Sequence, residues 1–163
     1  MSGAITLAPA GPEDTGLLTL VYAESRAEEM AQVPWSEAQK AEFLRFQFEA
    51  QDRHYREHYP NARFDLILED GRPIGRLYRC DLAGEIRLMD IALLAVARGR
   101  GIGTALMGTL LAEATERGLP VTLHVEADNP ARRLYRRLGF RDLREVGVYR
   151  LMRWEPDQLK TAS

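Results

Sequence analysis

Arg98–Leu106 reads RGRGIGTAL, three alternating glycines and two arginines in front of a run with helical spacing. Just before it, Met89–Leu94 (MDIALL) is strand-like. Just after it, Leu106, Met107, Leu110, Leu111 and Ala114 repeat at the intervals of one helical face. A strand therefore feeds a glycine turn that opens a helix. At such a helix start several N–H groups lack intrahelical partners and converge on one point. Aligned peptide dipoles add about half a positive charge there. Gly101 and Gly103 carry no side chains, so phosphate oxygens can approach the backbone. Arg98 and Arg100 supply further positive charge.

Three phosphate-binding patterns compete for this turn. A P-loop needs a lysine followed by Ser or Thr after its last glycine, and Gly103 is followed by Thr104-Ala105, which excludes it. A dinucleotide fingerprint needs Gly-x-Gly-x-x-Gly after a strand. The strand, helix and following strand are present, with Glu126 ending the second strand. However, Gly99, Gly101 and Gly103 alternate, and no glycine follows Gly103 by three. A dinucleotide-dependent oxidoreductase is thus the weaker alternative. The third pattern, a pyrophosphate turn of the form Arg/Gln-x-x-Gly-x-Gly, fits Arg98-Gly99-Arg100-Gly101-Ile102-Gly103.

Outward from the turn, Ile5–Ala8 reads as a first strand ending before Pro9. Asp14 offers an N-cap ahead of Leu17, Leu18, Val21 and Tyr22. Pro34-Trp35-Ser36 breaks the chain, and Ser36 with Gln39 forms a capping-box pattern. The helix it opens is expected to run to about His58, stopped by Pro60. Its aromatic side is broader than one stripe. FDLILEDGRPIGRLYRC (Phe64–Cys80) is a hairpin turning at Asp70-Gly71. A second turn near Ala83-Gly84 leads to EIRLMDIALL. Beyond the central helix, Gly118 and Pro120 stop it, Pro120–Ala127 is strand-like, and Asn129, Pro130 and Gly139 bracket a short helix. Arg141–Val146 and Val148–Trp154 close the chain as strands around Gly147. The order is β-α-α-β-β-β-α-β-α-β-β, an α/β arrangement of mostly antiparallel hairpins with one βαβ crossover.

With 163 residues the chain suits one domain with a sizeable core. Its net charge of −2 gives no reason to expect nucleic acid or an anionic membrane as partner. The cations are arginines apart from Lys40 and Lys160. Cys80 is the single cysteine, which suits a reducing, cytoplasmic setting and reads as an inert, partly buried thiol. No signal peptide is expected at MSGAITLAPAGPED, nor a membrane span. His54 and His58 stand one helical turn apart without the partners a metal site needs, so no metal is expected.

From about Glu85 to Phe140 the sequence resembles the GNAT superfamily of acyl-CoA-dependent N-acetyltransferases. The resemblance is carried by MDIALL, RGRGIGTAL, VTLHVEADN (Val121–Asn129) and NPARRLYRRLGF (Asn129–Phe140). It implies a GNAT fold with a mixed, mostly antiparallel central sheet and splayed central strands, in a single N-acetyltransferase domain over residues 1–163. Acetyl-CoA is the implied cosubstrate. Its pyrophosphate would lie on the turn formed by Arg98, Gly99, Arg100, Gly101, Ile102, Gly103 and Thr104. Its pantetheine arm would pair with the strand at Ile91, Leu93 and Leu94, and Asn129 would touch the arm. The acceptor is an amine, of small molecule or peptide. Pairing into a homodimer, common in the family, is also implied.

In that chemistry a neutral amine attacks the thioester and the leaving thiolate needs a proton. Tyr135 matches the family's general acid, worth about 10²–10⁴-fold in rate. Ala131, Leu134, Tyr135 and Leu138 also share one helical face, so a core role for Tyr135 competes. The positions that often carry the family's base fall on Arg87 and Met89, which cannot serve. Glu85 and Asp90 rank first as replacements, with His124, Glu126 or a water chain as alternatives. The lack of an orthodox base keeps a second function open, a non-catalytic acyl-CoA-binding or regulatory domain. By analogy, Trp35, Phe43, Phe46, Tyr55 and Tyr149 are candidate walls for the acceptor. Arg132, Arg133, Arg136 and Arg137 read as a solvated face.

Overall fold

The computed structural model describes residues 3–160. Seven strands form one sheet: β1 (Ile5–Pro9), β2 (Arg63–Glu69), β3 (Arg72–Leu82), β4 (Glu85–Leu93), β5 (Val121–Glu126), β6 (Arg141–Val146) and β7 (Tyr149–Trp154). Their order across the sheet is β1-β2-β3-β4-β5-β7-β6. Among the described residues there are six α-helices: α1 (Thr15–Ser25), α2 (Ala27–Ala31), α3 (Glu37–His58), α4 (Ile102–Arg117), α5 (Ala131–Arg137) and α6 (Asp157–Lys160). The sequence-derived order is recovered, with a break at Arg26 and the short α6 added. No helix among the described residues is long and apolar enough to cross a membrane.

The chain falls into two compact units. One comprises the described part of Met1–Tyr78 together with Asp90–Gly103. In it β1 pairs antiparallel with β2, from Ile5↔Glu69 to Pro9↔Asp65. The turn that follows β2 has Asp70 at φ 49° and Gly71 at φ 79°, the doubly positive conformation that Asp-Gly tolerates. Leu18 and Tyr22 from α1, Leu44 and Phe48 from α3, and Leu66 from β2 form a buried apolar cluster, each side chain contributing about 1.5–3 kcal/mol. Ser36 opens α3 as read: its hydroxyl accepts from Gln39 N (3.1 Å), and Gln39 Oε1 accepts from Ser36 N (2.9 Å). At the break after α1 the Ser25 hydroxyl donates to the Tyr22 carbonyl (2.6 Å).

The other unit comprises Arg79–Met89 and the described residues from Thr104 onward. Here Ile86–Leu88 of β4 pairs parallel with Val121–Leu123 of β5. β5 then pairs antiparallel with β7 along its whole length, and β7 with the edge strand β6. Two helices stop by the same device. After α4, Gly118 takes φ 66°, Leu119 N bonds Ala114 O (2.9 Å) and Gly118 N bonds Thr115 O (3.2 Å). After α5, Gly139 takes φ 106°, Phe140 N bonds Tyr135 O (3.0 Å) and Gly139 N bonds Arg136 O (3.0 Å). These are Schellman motifs, which need a residue at positive φ and so favour glycine. Cys80 is buried, and burial pushes its thiol up, as an inert thiol requires.

Candidate functional site

The glycine turn has the shape its composition requires. Leu94 leads from β4 into a 3-10 turn, Ala95–Ala97, and Gly99 and Gly101 then take φ 74° and 80°. Ile102 is buried and anchors the first turn of α4, while Gly101 is exposed. A Cβ built on Gly99, Gly101 or Gly103 would meet nothing within 4 Å. The space over these glycines is open, which is the condition for an anion to reach the backbone. Thr104, the next residue of α4, is exposed as well.

The arginines of the turn are less free than the sequence suggested. Arg98 Nε donates to the Leu93 carbonyl (3.0 Å). Arg100 forms a two-pronged ion pair with the Glu69 carboxylate, and that hydrogen bond holds Glu69 below the usual carboxylate range. At the end of β4, Leu94 N donates to Ile74 O (2.8 Å) and Leu94 O accepts from Ala97 N (2.9 Å). Both backbone groups of Leu94 are therefore engaged inside the protein. Ile91 and Leu93 lie half-buried on β4. Glu24, on the last turn of α1, accepts from Ala95 N (2.7 Å) and fastens the segment before the turn. Gly75 on β3 has a packing reason: a Cβ there would come within 2.4 Å of the Ala92 carbonyl.

The two ranked carboxylates are both engaged. Asp90 Oδ2 accepts from Arg76 Nε at 2.6 Å, and Arg76 also donates to Gln51 Oε1 (2.8 Å). The Arg76 side chain is only 3 % exposed, against 28 % for Asp90, and its guanidinium lies 4.6 Å from the Tyr78 ring centroid. Glu85 Oε2 accepts from the Thr122 hydroxyl (2.6 Å), which in turn accepts from Arg87 Nε (2.8 Å). Arg87 and Glu85 stand 4.0 Å apart. On β5, burial together with the Arg87 and Arg144 charges pushes His124 below its ordinary value, so its imidazole is neutral at pH 7.

Tyr135 occupies the C3 position of the Schellman motif that ends α5. Its ring packs against Phe140, with centroids 5.7 Å apart, the apolar contact that usually accompanies this motif. The Leu-Gly-Phe ending thereby fixes the Tyr135 ring. Asn129 Oδ1 accepts from Ala131 N (2.9 Å), so its capping role is present, although Pro130 holds the formal cap position. A cavity of about 300 Å³ lies here, lined by 127–130 with Arg132, Arg133 and Arg136. The arginine face is thus not merely solvated: Arg136 and Arg132 both hold Asp142 (2.8 and 3.3 Å). His54 and His58 stack at 4.1 Å between centroids.

A family model described as the acetyltransferase (GNAT) family matches residues 25–140, more than half of the chain. The chain belongs to that family. A curated relative, the [ribosomal protein bS18]-alanine N-acetyltransferase of Haemophilus influenzae, is 29% identical over 106 residues. The match covers 64% of this chain and 70% of the relative. Among solved structures, the PaiA N-acetyltransferase of Thermoplasma acidophilum in complex with coenzyme A superposes with a TM-score of 0.71 at 19% identity. That match covers 93% of this chain and 99% of the other. The ribosomal-protein-S18-alanine N-acetyltransferase of Escherichia coli gives 0.61 at 20% identity, covering 93% and 94%. At such identities the structures establish the GNAT fold.

Sequence reading missed Glu24, Glu69, Arg76 and Gly75. The Arg76–Asp90 pair left no local signal: counting equal steps from the Ala83-Gly84 turn sets Arg76 opposite Ile91, one residue away from Asp90. Glu24 and Glu69 left no trace either, because each meets its partner through tertiary packing alone.

Proposed function

We propose that the protein is a single-domain N-acetyltransferase that moves an acetyl group from acetyl-CoA to a primary amine. The observation that carries this reading is the open space over Gly101 and Gly103 at the start of α4, where a would-be Cβ meets nothing beyond the adjoining backbone within 4 Å. Amides of that helix start receive the pyrophosphate. Ile91 and Leu93 pair with the pantetheine arm, a β-augmentation, and Asn129 keeps its amide for the arm beyond its cap bond. Arg100 contributes once it exchanges Glu69 for phosphate. A fitted amide donor on β4 stabilises the oxyanion.

In the reaction the amine nitrogen bonds to the acetyl carbon, the carbon–sulfur bond breaks, and the thiolate takes the proton of the Tyr135 hydroxyl. The amine loses its proton to a base. Asp90, committed to buried Arg76, positions β4 rather than accepting that proton. Glu85, with Thr122 on one oxygen, and neutral His124 are the remaining side-chain acceptors. The Haemophilus relative is named for the alanine of a ribosomal protein; here the acceptor class is an amine of small molecule or peptide.

One observation favours a second reading, non-catalytic CoA binding: both carboxylates ranked for the base are hydrogen-bonded to other side chains. Free-thiol release from acetyl-CoA over a panel of amines separates the two. Amine-dependent release supports transfer; CoA binding without release supports the second reading. Tyr135→Phe keeps the ring contact with Phe140, and kcat should fall about 10²-fold or more. Unchanged kcat would remove Tyr135 as the acid.

A further inference from the structure

As far as Leu123, which pairs with Leu88 of β4, β5 has a strand on each side; from His124 on it pairs with β7 alone among the described residues. His124 is thus the first residue of β5 beyond the β4 register. It stands directly opposite Leu151 of β7, and Leu151 stands opposite Arg144 of β6. Residues directly opposite one another share a face of the sheet. His124, Leu151 and Arg144 therefore form one row across three strands. Thr122 and its β4 neighbour Arg87 lie on the same face, in the row before it.

Arg144 owes this place to an irregularity in β6. The β6–β7 register shifts between Asp142 and Arg144, which leaves Leu143 as an extra residue with no opposite on β7. Asp142 lies opposite Met152, on the other face, and regular alternation would put Arg144 there too. The bulge turns Arg144 to the His124 face, in the way that bulges beside functional sites re-aim a side chain.

The charge it brings there is uncompensated. Around it Arg150 pairs with Glu145 and Arg153 with Glu155, and Arg132 and Arg136 of α5 hold Asp142. Arg144 is exposed and forms no ion pair among the described residues. Its field still reaches the other end of the row: burial first, then the charges of Arg87 and Arg144, hold the His124 imidazole low against the pull of Glu85. An ammonium entering this row meets like charges on both sides. A carboxylate meets a guanidinium whose planar fork fits it and has no other partner. Two strand spacings make about 10 Å, which a short chain and the arginine side chain together can bridge.

We propose that Arg144 is a specificity-determining residue that binds a carboxylate of the acceptor, so that the acceptor is an amine carrying an acidic group. The proposal rests on the acetyltransferase reading above, in which the acyl arm lies along β4. The reacting nitrogen then lies toward His124 and the carboxylate toward β6.

Turnover is measured for glycine, 4-aminobutyrate and 6-aminohexanoate, each against the alkylamine of matching length: ethylamine, n-butylamine and n-hexylamine. At least one amino acid should exceed its alkylamine about tenfold in kcat/KM, the gain lying in KM. Arg144→Gln should raise that KM about tenfold with little change in kcat, and Arg144→Lys should restore part of the preference. Calorimetry with the same compounds reads binding apart from turnover. If no amine is acetylated but an amino acid binds in an Arg144-dependent way, the acetyltransferase reading fails and the site stands. If amines are acetylated without preference for the carboxylate, or with a preference that Arg144→Gln leaves intact, the site fails and the acetyltransferase reading stands. Where neither turnover nor Arg144-dependent binding occurs, both fail.

Discussion

Replacing Asp90 by asparagine removes one charge from a pair whose other member cannot reach water. The Arg76 guanidinium is 3 % exposed and keeps only Gln51 and the neighbouring tyrosine rings as partners once the carboxylate is gone. Breaking a fully buried pair costs about 3–5 kcal/mol, chiefly the desolvation of the charge left behind. Asp90 is 28 % exposed, so water screens part of the interaction and the cost settles near 2–3 kcal/mol. In a domain of this size that lowers Tm by roughly 5–10 °C. Urea unfolding followed by circular dichroism should show a lower midpoint with an unchanged slope. Arg76→Met combined with Asp90→Leu should recover part of the loss, because no lone charge remains. An Asp90→Asn change below about 0.5 kcal/mol, the range of a surface substitution, would refute the claim that the pair is energetically buried. The kinetic corollary is a reduced kcat, since the Arg76–Asp90 pair holds β4 in place.

Gly103 has no positive φ and lies in the first turn of α4, so Gly103→Ala should stabilise the fold by about 0.5–1 kcal/mol while weakening CoA binding in calorimetry; a stabilised variant with unchanged affinity would contradict the anion site. Glu69→Gln releases Arg100 from its ion pair and should raise CoA affinity severalfold at low salt, an effect that shrinks as salt screens it. Glu113 is held down to about 2, first by the hydrogen bond from Arg79 and then by Arg117, against an ordinary value of 4.5. Because the folded state binds its proton less readily, this contribution is complete above about pH 5 and is lost as pH falls toward 2. At 38 % side-chain exposure it amounts to about 1–2 kcal/mol after screening, and Glu113→Gln should flatten the acid limb of a stability–pH curve by that amount.

The fold was legible wherever its cause is local. Ser36 and Gln39 announce the start of α3 because both capping bonds lie within four residues. Gly118 and Gly139 announce helix ends because each stands where the backbone needs a positive φ. Asp70-Gly71 announces the hairpin for the same reason. The break at Arg26 was invisible, since no glycine or proline marks it. The placement of β7 between β5 and β6 was also beyond the chain pattern, because both strands carry similar short runs and only pairing decides which is the edge.

At the site the same division separates the glycines from the arginines. The amides of the turn were readable because they are backbone: a helix start presents them whatever the rest of the chain does. Arg98 and Arg100 were readable only as charges, not as partners. In the folded protein Arg98 is tied to the Leu93 carbonyl and Arg100 to Glu69, contacts from distant or bent segments that no local pattern encodes. The turn therefore offers dipoles and open space, with the guanidinium of Arg100 already balanced by Glu69. Phosphate must compete with a carboxylate for Arg100 but meets no competitor over Gly101 and Gly103. On the proposed reading, a diphosphate meets the glycines first and Arg100 only after it leaves Glu69.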